Sequence, residues 1–538
     1  MKTWTQWLAL MAAAVVLVGC GNELHSGWDE PLDADGPVEM DDAVVYLDRP
    51  FEEVIAVRPG IESGEPKLDV QRHFAGSNPG AMAPSADGQT LYVVNRGERN
   101  GEESLSIIDV GEDDIERDNL DLGSFYDQIT VDPEGDFVLL SNSGEAETIS
   151  QNINELGIVD LREDEPEFEV TMLRTPAQNL EFLPAFEFGD DAGQTERFVA
   201  VTAANQVAIV DLNAEPQSAD RYRRVPLTTT AVDERIPEQL VFDPDADSGG
   251  ANLFVLDDTS DVVTQISMAP AVDAGSARRL DLSASQLAAG QRPQAIDVID
   301  IDDAGKRLLV IDGQSAQFSL VDIDSNEWAT FDLPTGSPAT GMQRYSVVGD
   351  DESSHEQRIL AWSPNSEIVA VIRPETIDLG SDVPTLGQSV ESIRLQAPPS
   401  KVLMDADGSS NSAVILHRGG NDGFSVLDLE RNSDIAWTGR NLSEVVFDGG
   451  MAYGVYDNTA HMERFDPQTG ASRTFALPDF GEELFWSGNG RALMVRHPGA
   501  AGRFTVFPRD EYLNDDAQVF EQVFLTDVLD RVETDDEQ

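Results

Sequence analysis

The sequence predicts an all-β fold, a single β-propeller of four-stranded antiparallel blades, and three observations lead to it. A unit of one apolar strand, an Asp/Gly/Asn turn and a second apolar strand recurs at intervals of roughly 40 to 60 residues. Most copies continue into a third strand that ends in an aliphatic, Asp, aliphatic triplet. Helical 3.6-residue periodicity is nearly absent, which leaves little room for helices between the strands.

The hairpin unit is clearest in GAMAPSADGQTLYVVNRGE (80–98). Its turn holds Asp87 and Gly88, because Asp tolerates the left-handed backbone region and Gly accepts positive φ without steric cost. Such units begin near residues 79, 128, 179, 239, 295, 342, 401, 444 and 483. Propellers typically have about four to eight blades, so seven or eight are expected here, and nine is the larger number that the count allows. Two smaller propellers are a less favoured alternative, because no linker-like break interrupts residues 79–510.

Third and fourth strands complete the unit. A fourth strand of mixed polarity follows the third, as in RYRRVPL (221–227) and EWATFDL (327–333). The segment KLDVQRHFA (67–75) is predicted to supply the outer strand of the last blade, which would close the ring and remove a free sheet edge. The third strands with the triplet are SLSIIDV (104–110), ELGIVDL (155–161), QVAIVDL (206–212), QFSLVDI (317–323) and GFSVLDL (423–429).

The stretch PGAMAPSADGQTLYVVNRGE (79–98), followed by SLSIIDV (104–110), resembles the YVTN-type repeats of bacterial propellers, within the WD40/YVTN repeat-like group. In that family a proline-led strand precedes a DG turn, and YVVN-like and VxVID-like strands follow it. The resemblance covers about residues 79–510 and implies the architecture alone. The repeats are not of the WD kind, because the Trp–Asp pair (28–29) precedes them.

The first twenty residues resemble a bacterial lipoprotein signal. Lys2 gives a positive start, residues 7–18 (WLALMAAAVVLV) are apolar but too short for an ordinary membrane span, and LVGC (17–20) resembles the lipobox. The resemblance implies a signal peptide at 1–19 and acyl chains such as palmitate on Cys20. Glycine rather than aspartate follows Cys20, which implies the outer membrane, on its periplasmic side or at the cell surface. An uncleaved signal anchor is the alternative.

The remaining chain divides by composition. Residues 20–45 are acidic and contain Pro and Gly, which predicts an extended flexible tether. Residues 46–530 are expected to form the propeller, and the tail 531–538 (RVETDDEQ) is expected to be disordered.

The charge balance limits the partners. Asp and Glu number 100 against 35 Lys and Arg, which gives a net charge of −65. Such a surface repels phosphates, so nucleic acid is not an expected partner, and only the lipid on Cys20 is expected to contact a membrane. The acidity fits either attraction of basic partners or simple solubility. Cys20 is the only cysteine in the sequence, which excludes internal disulfides and a catalytic thiol in the folded domain.

Polar residues at the predicted ends of the second strands form the candidate binding face. In a propeller these ends share one side of the ring with the loops that enter the first strands, so they could clamp an anionic group. Alternatively, strand ends become polar simply because they meet water. The candidates are Asn95, Arg96, Asn142, Asp257, Asp312, Arg373, His417, Arg418, Asp457, Arg496 and His497.

Evidence for catalysis is weaker. The sequence has no G-x-S-x-G elbow, and its six His show no metal-ligand spacing. No cofactor is expected, apart from calcium at Asp243, Asp245 and Asp247, whose spacing follows the start of an EF-hand loop but lacks its Gly and final Glu. Those residues sit where a hairpin turn belongs, and the turn is the favoured explanation for them.

We therefore expect a non-catalytic binding or scaffold module of the cell envelope that presents its loop face to a protein or glycan. The alternative is a metal-dependent envelope hydrolase resembling propeller lactonases or phytases, in which channel carboxylates hold a divalent cation.

Overall fold

A computed structural model of the chain shows a single β-propeller, whose described residues form ten four-stranded antiparallel sheets, the blades. It describes residues 34–525 with gaps that fall mostly between strands, the longest being 144–152, 271–279, 378–388 and 509–517. Every blade is built from strands in sequence order, from the inner strand to the outer one.

The first five blades consist of β1 (Ala34–Glu39), β2 (Val44–Asp48), β3 (Glu53–Glu62) and β4 (Glu65–Phe74); β5 (Pro79–Pro84), β6 (Thr90–Asn95), β7 (Ser104–Asp109) and β8 (Glu116–Asp121); β9 (Gln128–Val131), β10 (Phe137–Ser141), β11 (Glu155–Asp160) and β12 (Glu167–Met172); β13 (Asn179–Phe182), β16 (Phe198–Ala203), β17 (Gln206–Asp211) and β18 (Tyr222–Pro226); and β19 (Pro237–Asp245), β20 (Gly250–Asp257), β21 (Val262–Pro270) and β22 (Leu280–Ala288). A short ribbon of β14 (Phe186–Glu187) and β15 (Thr195–Glu196) lies between the first two strands of blade 4.

The last five blades consist of β23 (Pro293–Ile301), β24 (Gly305–Asp312), β25 (Gln317–Asp322) and β26 (Trp328–Asp332); β27 (Gly341–Val348), β28 (His355–Trp362), β29 (Ile368–Ile372) and β30 (Val390–Arg394); β31 (Pro399–Met404), β32 (Ser412–His417), β33 (Gly423–Asp428) and β34 (Ser433–Thr438); β35 (Leu442–Asp448), β36 (Met451–Tyr456), β37 (Thr459–Phe465) and β38 (Ser472–Ala476); and β39 (Glu483–Trp486), β40 (Ala492–His497), β41 (Arg503–Pro508) and β42 (Gln518–Phe520). In the described part of the chain, 3-10 helices span Pro374–Thr376 and Val523–Leu525. Over the described part of the chain, no helix has the length and apolar character needed to cross a bilayer.

The hydrophobic core is a series of layers between blades. Tyr92 and Val94 of β6 pack with Val138 and Leu140 of β10, for example, so the apolar faces of blades 2 and 3 cover each other. The first strands of successive blades adjoin one another, as β5 and β9 do, and therefore form the inner side of the ring. Fourth strands such as β26 alternate between exposed and buried residues and form its outer edge.

The single propeller is confirmed, but the expected seven, eight or nine blades are wrong. All nine counted hairpin units form blades 2 to 10, and residues 34–74 supply a further blade. This first blade escaped detection because its turn around Asp41 and Asp42 lacks the Asp–Gly signal and lies in an acidic segment. Its strand β1 begins at Ala34, so the predicted tether 20–45 overlaps the propeller, which starts before residue 46.

The predicted closure of the ring is also wrong. The segment 67–75 belongs largely to β4, the outer strand of blade 1, whereas β42 is the outer strand of blade 10. No strand is exchanged between the two blades, because each is built from consecutive strands. We call their interface the seam; it consists of β2, β3 and β4 facing β39, β40, β41 and residues 523–525.

Side chains hold the seam together. The ring of Tyr46 lies 4.9 Å from that of Phe524 and 6.0 Å from that of Phe504, measured between centroids. Arg72 is buried, pairs with Glu53 over 2.6 Å between Nη1 and Oε2, and donates a hydrogen bond from Nη2 to the carbonyl oxygen of Phe524. Apolar packing and this arginine thus replace the shared strand.

The repeated Asp at the end of the third strands has an architectural role. Oδ1 of Asp160 accepts a hydrogen bond from the backbone N–H of Arg162 at 3.0 Å, and Asp211 accepts one from Asn213 at 3.0 Å. Each carboxylate fixes the turn into the fourth strand, which explains why the triplet recurs from blade to blade.

Candidate functional site

All second strands end on one side of the ring, the upper face, where the first strands begin, because neighbouring strands in each blade are antiparallel. Predicted candidates occupy this face at the ends of second strands in six blades, so they are distributed around the ring. They are Asn95, Arg96, Asn142, Asp257, Asp312, His417, Arg496 and His497. Arg418 and Asp457 lie outside the described residues.

Arg373 is the exception. It follows β29, the third strand of blade 7, and therefore lies on the opposite side of the ring, where it pairs with Glu391 over 2.7 Å between Nη2 and Oε1. The prediction was wrong because the second strand of this blade, β28 (HEQRILAW), begins with charged residues and was not recognised. Its place on the upper face is taken by Ser363, which is buried.

Asp257 and Asp312 are buried and direct their carboxylates into their own loops. Oδ1 of Asp257 accepts hydrogen bonds from the backbone N–H groups of Thr259 at 3.2 Å and Ser260 at 2.7 Å. Oδ1 of Asp312 accepts them from Gln314 at 2.8 Å and Ser315 at 3.1 Å. These carboxylates shape the loops between second and third strands, where they substitute for missing backbone partners.

Both candidate histidines bond to a hydroxyl of the third strand. His417 Nε2 lies 2.7 Å from Ser425 Oγ. His497 is fully buried, with Nε2 2.7 Å from Thr505 Oγ1 and Nδ1 3.0 Å from the carbonyl oxygen of Phe480. Because a carbonyl only accepts, Nδ1 carries the proton and Nε2 accepts from the threonine. Burial is the main cause that lowers the pKa of His497, so the ring stays neutral.

The stabilisation by His497 is expected to decline in acid. In the unfolded chain, the His497 ring takes up a proton at about pH 6.5, whereas the folded protein takes it up only at a lower pH. The contribution of His497 to the free energy of unfolding is therefore complete above about pH 6.5. It is lost as the pH falls through the lowered pKa of the folded protein. The difference in free energy of unfolding between the wild type and His497→Gln should therefore shrink between about pH 7.5 and 5.5, measured by urea denaturation. A difference that stays constant would show that the buried ring does not govern this dependence.

The two candidate arginines described on this face, Arg96 and Arg496, stack on aromatic rings. The guanidinium of Arg96 lies 4.5 Å from the ring centroid of Phe125. The guanidinium of Arg496 lies 5.5 Å from the ring of Tyr46 and forms an ion pair with Glu483. Arg496 thus belongs to the seam, whereas Arg96 has no ion-pair partner among the described residues.

Two asparagines at equivalent positions differ in their partners. Asn95 is buried and donates from Nδ2 to Ser106 Oγ at 2.9 Å. Asn142 is 3% exposed, yet neither its Oδ1 nor its Nδ2 has a hydrogen-bond partner within the described part of the chain. The residue of blade 3 that corresponds to Ser106 is Gly157, which has no hydroxyl. Asn142 therefore carries an unmet hydrogen-bonding capacity.

The buried hydroxyls of the third strands are functional partners that the sequence reasoning missed. Ser106, Ser425 and Thr505 each occupy the third position of their strand, in SLS, GFS and RFT. A hydroxyl between apolar residues of a buried strand needs a partner, and this pattern could have revealed them.

The calcium motif is partly occupied by a protein cation. Asp243 Oδ1 lies 2.6 Å from Lys306 Nζ, while Asp247 and the side chain of Asp245 lie outside the described residues. Among the described residues, no group of three or more His, Cys, Asp or Glu is placed to hold a metal ion.

No family model matches the chain, and no curated protein matches it. Among solved structures, it is similar to the dihydro-heme d1 dehydrogenase NirN in complex with DHE, with 13% identity, 84% of this chain and 75% of that chain covered, and a TM-score of 0.36. It is also similar to the Kuenenia stuttgartiensis hydrazine synthase, with 16% identity, 52% of this chain and 82% of that chain covered, and a TM-score of 0.27. A third similar structure is Saccharomyces cerevisiae Sqt1, with 10% identity, 83% of this chain and 96% of that chain covered, and a TM-score of 0.36. These similarities carry no inference about a ligand or an activity.

Proposed function

We propose that the chain is a non-catalytic binding or scaffold lipoprotein of the bacterial cell envelope, whose propeller presents a loop face to a protein or glycan partner. The observation that supports it best is that polar side chains on the upper face make hydrogen bonds within the protein. Asp257, Asp312 and His497 are buried and hydrogen-bonded within their own blades. Such groups shape loops for contact and are poorly placed for proton transfer to a bound substrate.

A metal-dependent hydrolase would need several carboxylates that converge on one cation. Asp257 and Asp312 belong to different blades and each turns Oδ1 toward backbone N–H groups. This arrangement favours binding over catalysis.

The lipid on Cys20 completes the proposal, although Cys20 lies outside the described residues. An extended chain spans at most about 3.5 Å per residue, so the link from Cys20 to Ala34 reaches about 50 Å. Because first strands are entered from the upper face, the link from Cys20 joins the propeller at that face. The proposal therefore implies partners that reside at the membrane or approach it closely.

Capture of partners from envelope extract by the immobilised mature domain tests the proposal. A partner is expected to be retained with or without calcium, and the variant Arg96→Glu is expected to lose it, because the change reverses charge on the upper face. Arg394→Glu is the matched control, since Arg394 lies on an outer strand with an 80% exposed side chain. Equal capture by all three proteins, or no capture at all, would refute the proposed function.

A further inference from the structure

Arginines follow the second strands of two neighbouring blades on the upper face. Arg49 comes directly after β2 of blade 1, and Arg96 comes directly after β6 of blade 2. Both reach Gly80 in β5: Arg49 Nη2 donates to the carbonyl oxygen of Gly80 at 3.0 Å, and a Cβ added to Gly80 would lie 3.9 Å from Arg96 Nε. Standard bond lengths within Gly80 then limit the separation of Arg49 Nη2 and Arg96 Nε to about 10 Å. Two cations therefore adjoin on a strongly acidic protein.

The guanidinium of Arg96 is held in place and remains open to a ligand. It lies over the ring of Phe125, 4.5 Å from the ring centroid, and its Nε is buried. Its terminal Nη1 and Nη2 are not buried, and they have no hydrogen-bond or ion-pair partner among the described residues. A stacked guanidinium directs its terminal N–H groups in one plane, which suits the two oxygens of a carboxylate. Arg96 therefore offers an accessible, preorganised pair of donors.

Arg49 supplies a second donor, although it also forms an ion pair. Its Nε lies 2.5 Å from Asp35 Oδ2, and the two side chains are 48% and 43% exposed. An ion pair this exposed is screened by water and is weak. Within the described part of the chain, Nη1 of Arg49 has no partner. Arg49 can therefore contact a bound anion without losing its contact with Gly80.

The surrounding carboxylates limit the charge of such an anion. Asp35 pairs with Arg49, and Glu52 Oε1 accepts a hydrogen bond from the backbone N–H of Asn78 at 2.7 Å. Glu102 is exposed and lies beside Gly97, where an added Cβ would be 2.8 Å from Glu102 Cβ. Three carboxylates near two guanidinium groups oppose a second negative charge on a ligand, and the net charge of −65 adds to this opposition. The site therefore favours a group with a single negative charge.

The surface beside the two arginines is polar and carries one exposed aromatic ring. Asn78 is exposed, and its carbonyl oxygen accepts a hydrogen bond from the backbone N–H of Arg96 at 3.0 Å. Phe74 ends β4 four residues earlier and is 43% exposed, with Arg117 over one side of its ring at 5.0 Å. Protein interfaces usually centre on several aromatic and apolar side chains. One ring and one amide suit a sugar better, because the ring packs against its C–H groups and the amide bonds to its hydroxyls.

We propose that Arg49, Arg96, Asn78 and Phe74 form a uronic-acid site, which binds a glycan through the carboxylate of one sugar. The terminal N–H groups of Arg96 donate to both carboxylate oxygens, and Arg49 Nη1 donates to the nearer one. The Asn78 amide bonds to hydroxyls of the same sugar, and Phe74 packs against the next sugar of the glycan. This inference rests on the proposed binding function and names the chemistry that the upper face recognises at Arg96.

Four small probes test the site by ligand-observed NMR on the mature domain at physiological ionic strength. They are methyl glucuronide, neutral methyl glucoside, glucose 6-phosphate and the α-amide of N-acetylglutamate. Methyl glucuronide is expected to bind with saturation and about tenfold more tightly than each of the others, because it alone joins a single carboxylate to a sugar ring. Equal binding of the phosphate would indicate a general anion site, and equal binding of the glutamate derivative would indicate a protein carboxylate as the ligand. Either result would overturn the proposal, as would a lack of saturable binding.

Three variants distinguish the planar guanidinium from charge alone. Arg96→Lys keeps the charge but loses the paired donors and the stacking, so it is expected to weaken binding of methyl glucuronide about tenfold. Arg49→Gln is expected to weaken it about threefold, because Arg49 is shared with Asp35. Arg174→Gln is the control and should bind as the wild type does, since Arg174 is an exposed arginine of the same face between blades 3 and 4.

Melting temperatures of the variants show whether a loss of binding reflects the site or the fold. They are expected to stay close to that of the wild type, because the terminal groups of Arg96 have no partner among the described residues. Wild-type binding by Arg96→Lys would overturn the uronic-acid site. If envelope extract yields a partner that depends on Arg96 but methyl glucuronide does not bind, only the uronic-acid site is refuted. If methyl glucuronide binds but no partner is captured, only the wider function is refuted.

Discussion

Replacing Cys20 by serine is expected to release the protein from the membrane fraction completely. The physical reason is the anchor: each buried methylene contributes about 0.8 kcal/mol, and stable attachment needs more than one acyl chain. Serine offers no thiol for acylation, and the net charge of −65 gives the domain no attraction to anionic lipid. The measurement is fractionation of cells, combined with incorporation of labelled palmitate.

Gly19→Ala is the matched control, because alanine keeps a small residue before the cysteine, and it should remain membrane-bound and labelled. If Cys20→Ser stays in the membrane at the size of the full precursor, the apolar segment 7–18 acts as an uncleaved anchor. Loss of palmitate without release from the membrane would contradict the lipid anchor in the same way.

Most of the ring could be predicted because nine blades contain hairpin turns whose residues are recognisable in the sequence. Gly88 has a φ of 69°, which few other residues tolerate, and Asp87 accepts a hydrogen bond from the backbone N–H of Gln89. Blade 1 uses a turn in which the backbone N–H of Met40 bonds to the carbonyl oxygen of Ala43 at 2.9 Å, and that turn carries no glycine. Its acidic residues are typical of a linker, so the composition of this segment predicted a tether. The blade forms because its strands pack against the neighbouring blades.

The candidate site was predictable in position but not in chemistry. The sequence pattern located the ends of the second strands in six blades, because polar residues follow apolar runs there. It could not show that His497 bonds to Thr505, or that the Asn142 side chain has no hydrogen-bond partner among the described residues. Both facts depend on which third-strand residue lies opposite. That pairing is set by register, and one serine replaced by Gly157 changes the outcome in a single blade.

The seam is expected to be the weakest interface of the ring, and Phe524→Ala should open it. Phe524 is fully buried between Tyr46 and Phe504, with centroids 4.9 Å and 5.7 Å away, and truncation of such a ring costs about 3–5 kcal/mol. Every other pair of neighbouring blades is joined by the chain itself, whereas blades 1 and 10 are held by side chains alone. Hydrogen exchange of backbone amides should therefore accelerate in β2 and β40 but remain slow in β24 and β25 of blade 6, because local opening costs less than unfolding of the whole ring.

Phe480→Ala, at a residue 41% exposed, is the control and should leave exchange in the seam unchanged. Equal acceleration in blades 1, 6 and 10 would mean that the ring unfolds as one cooperative unit and that the seam is no weaker than the covalently linked interfaces.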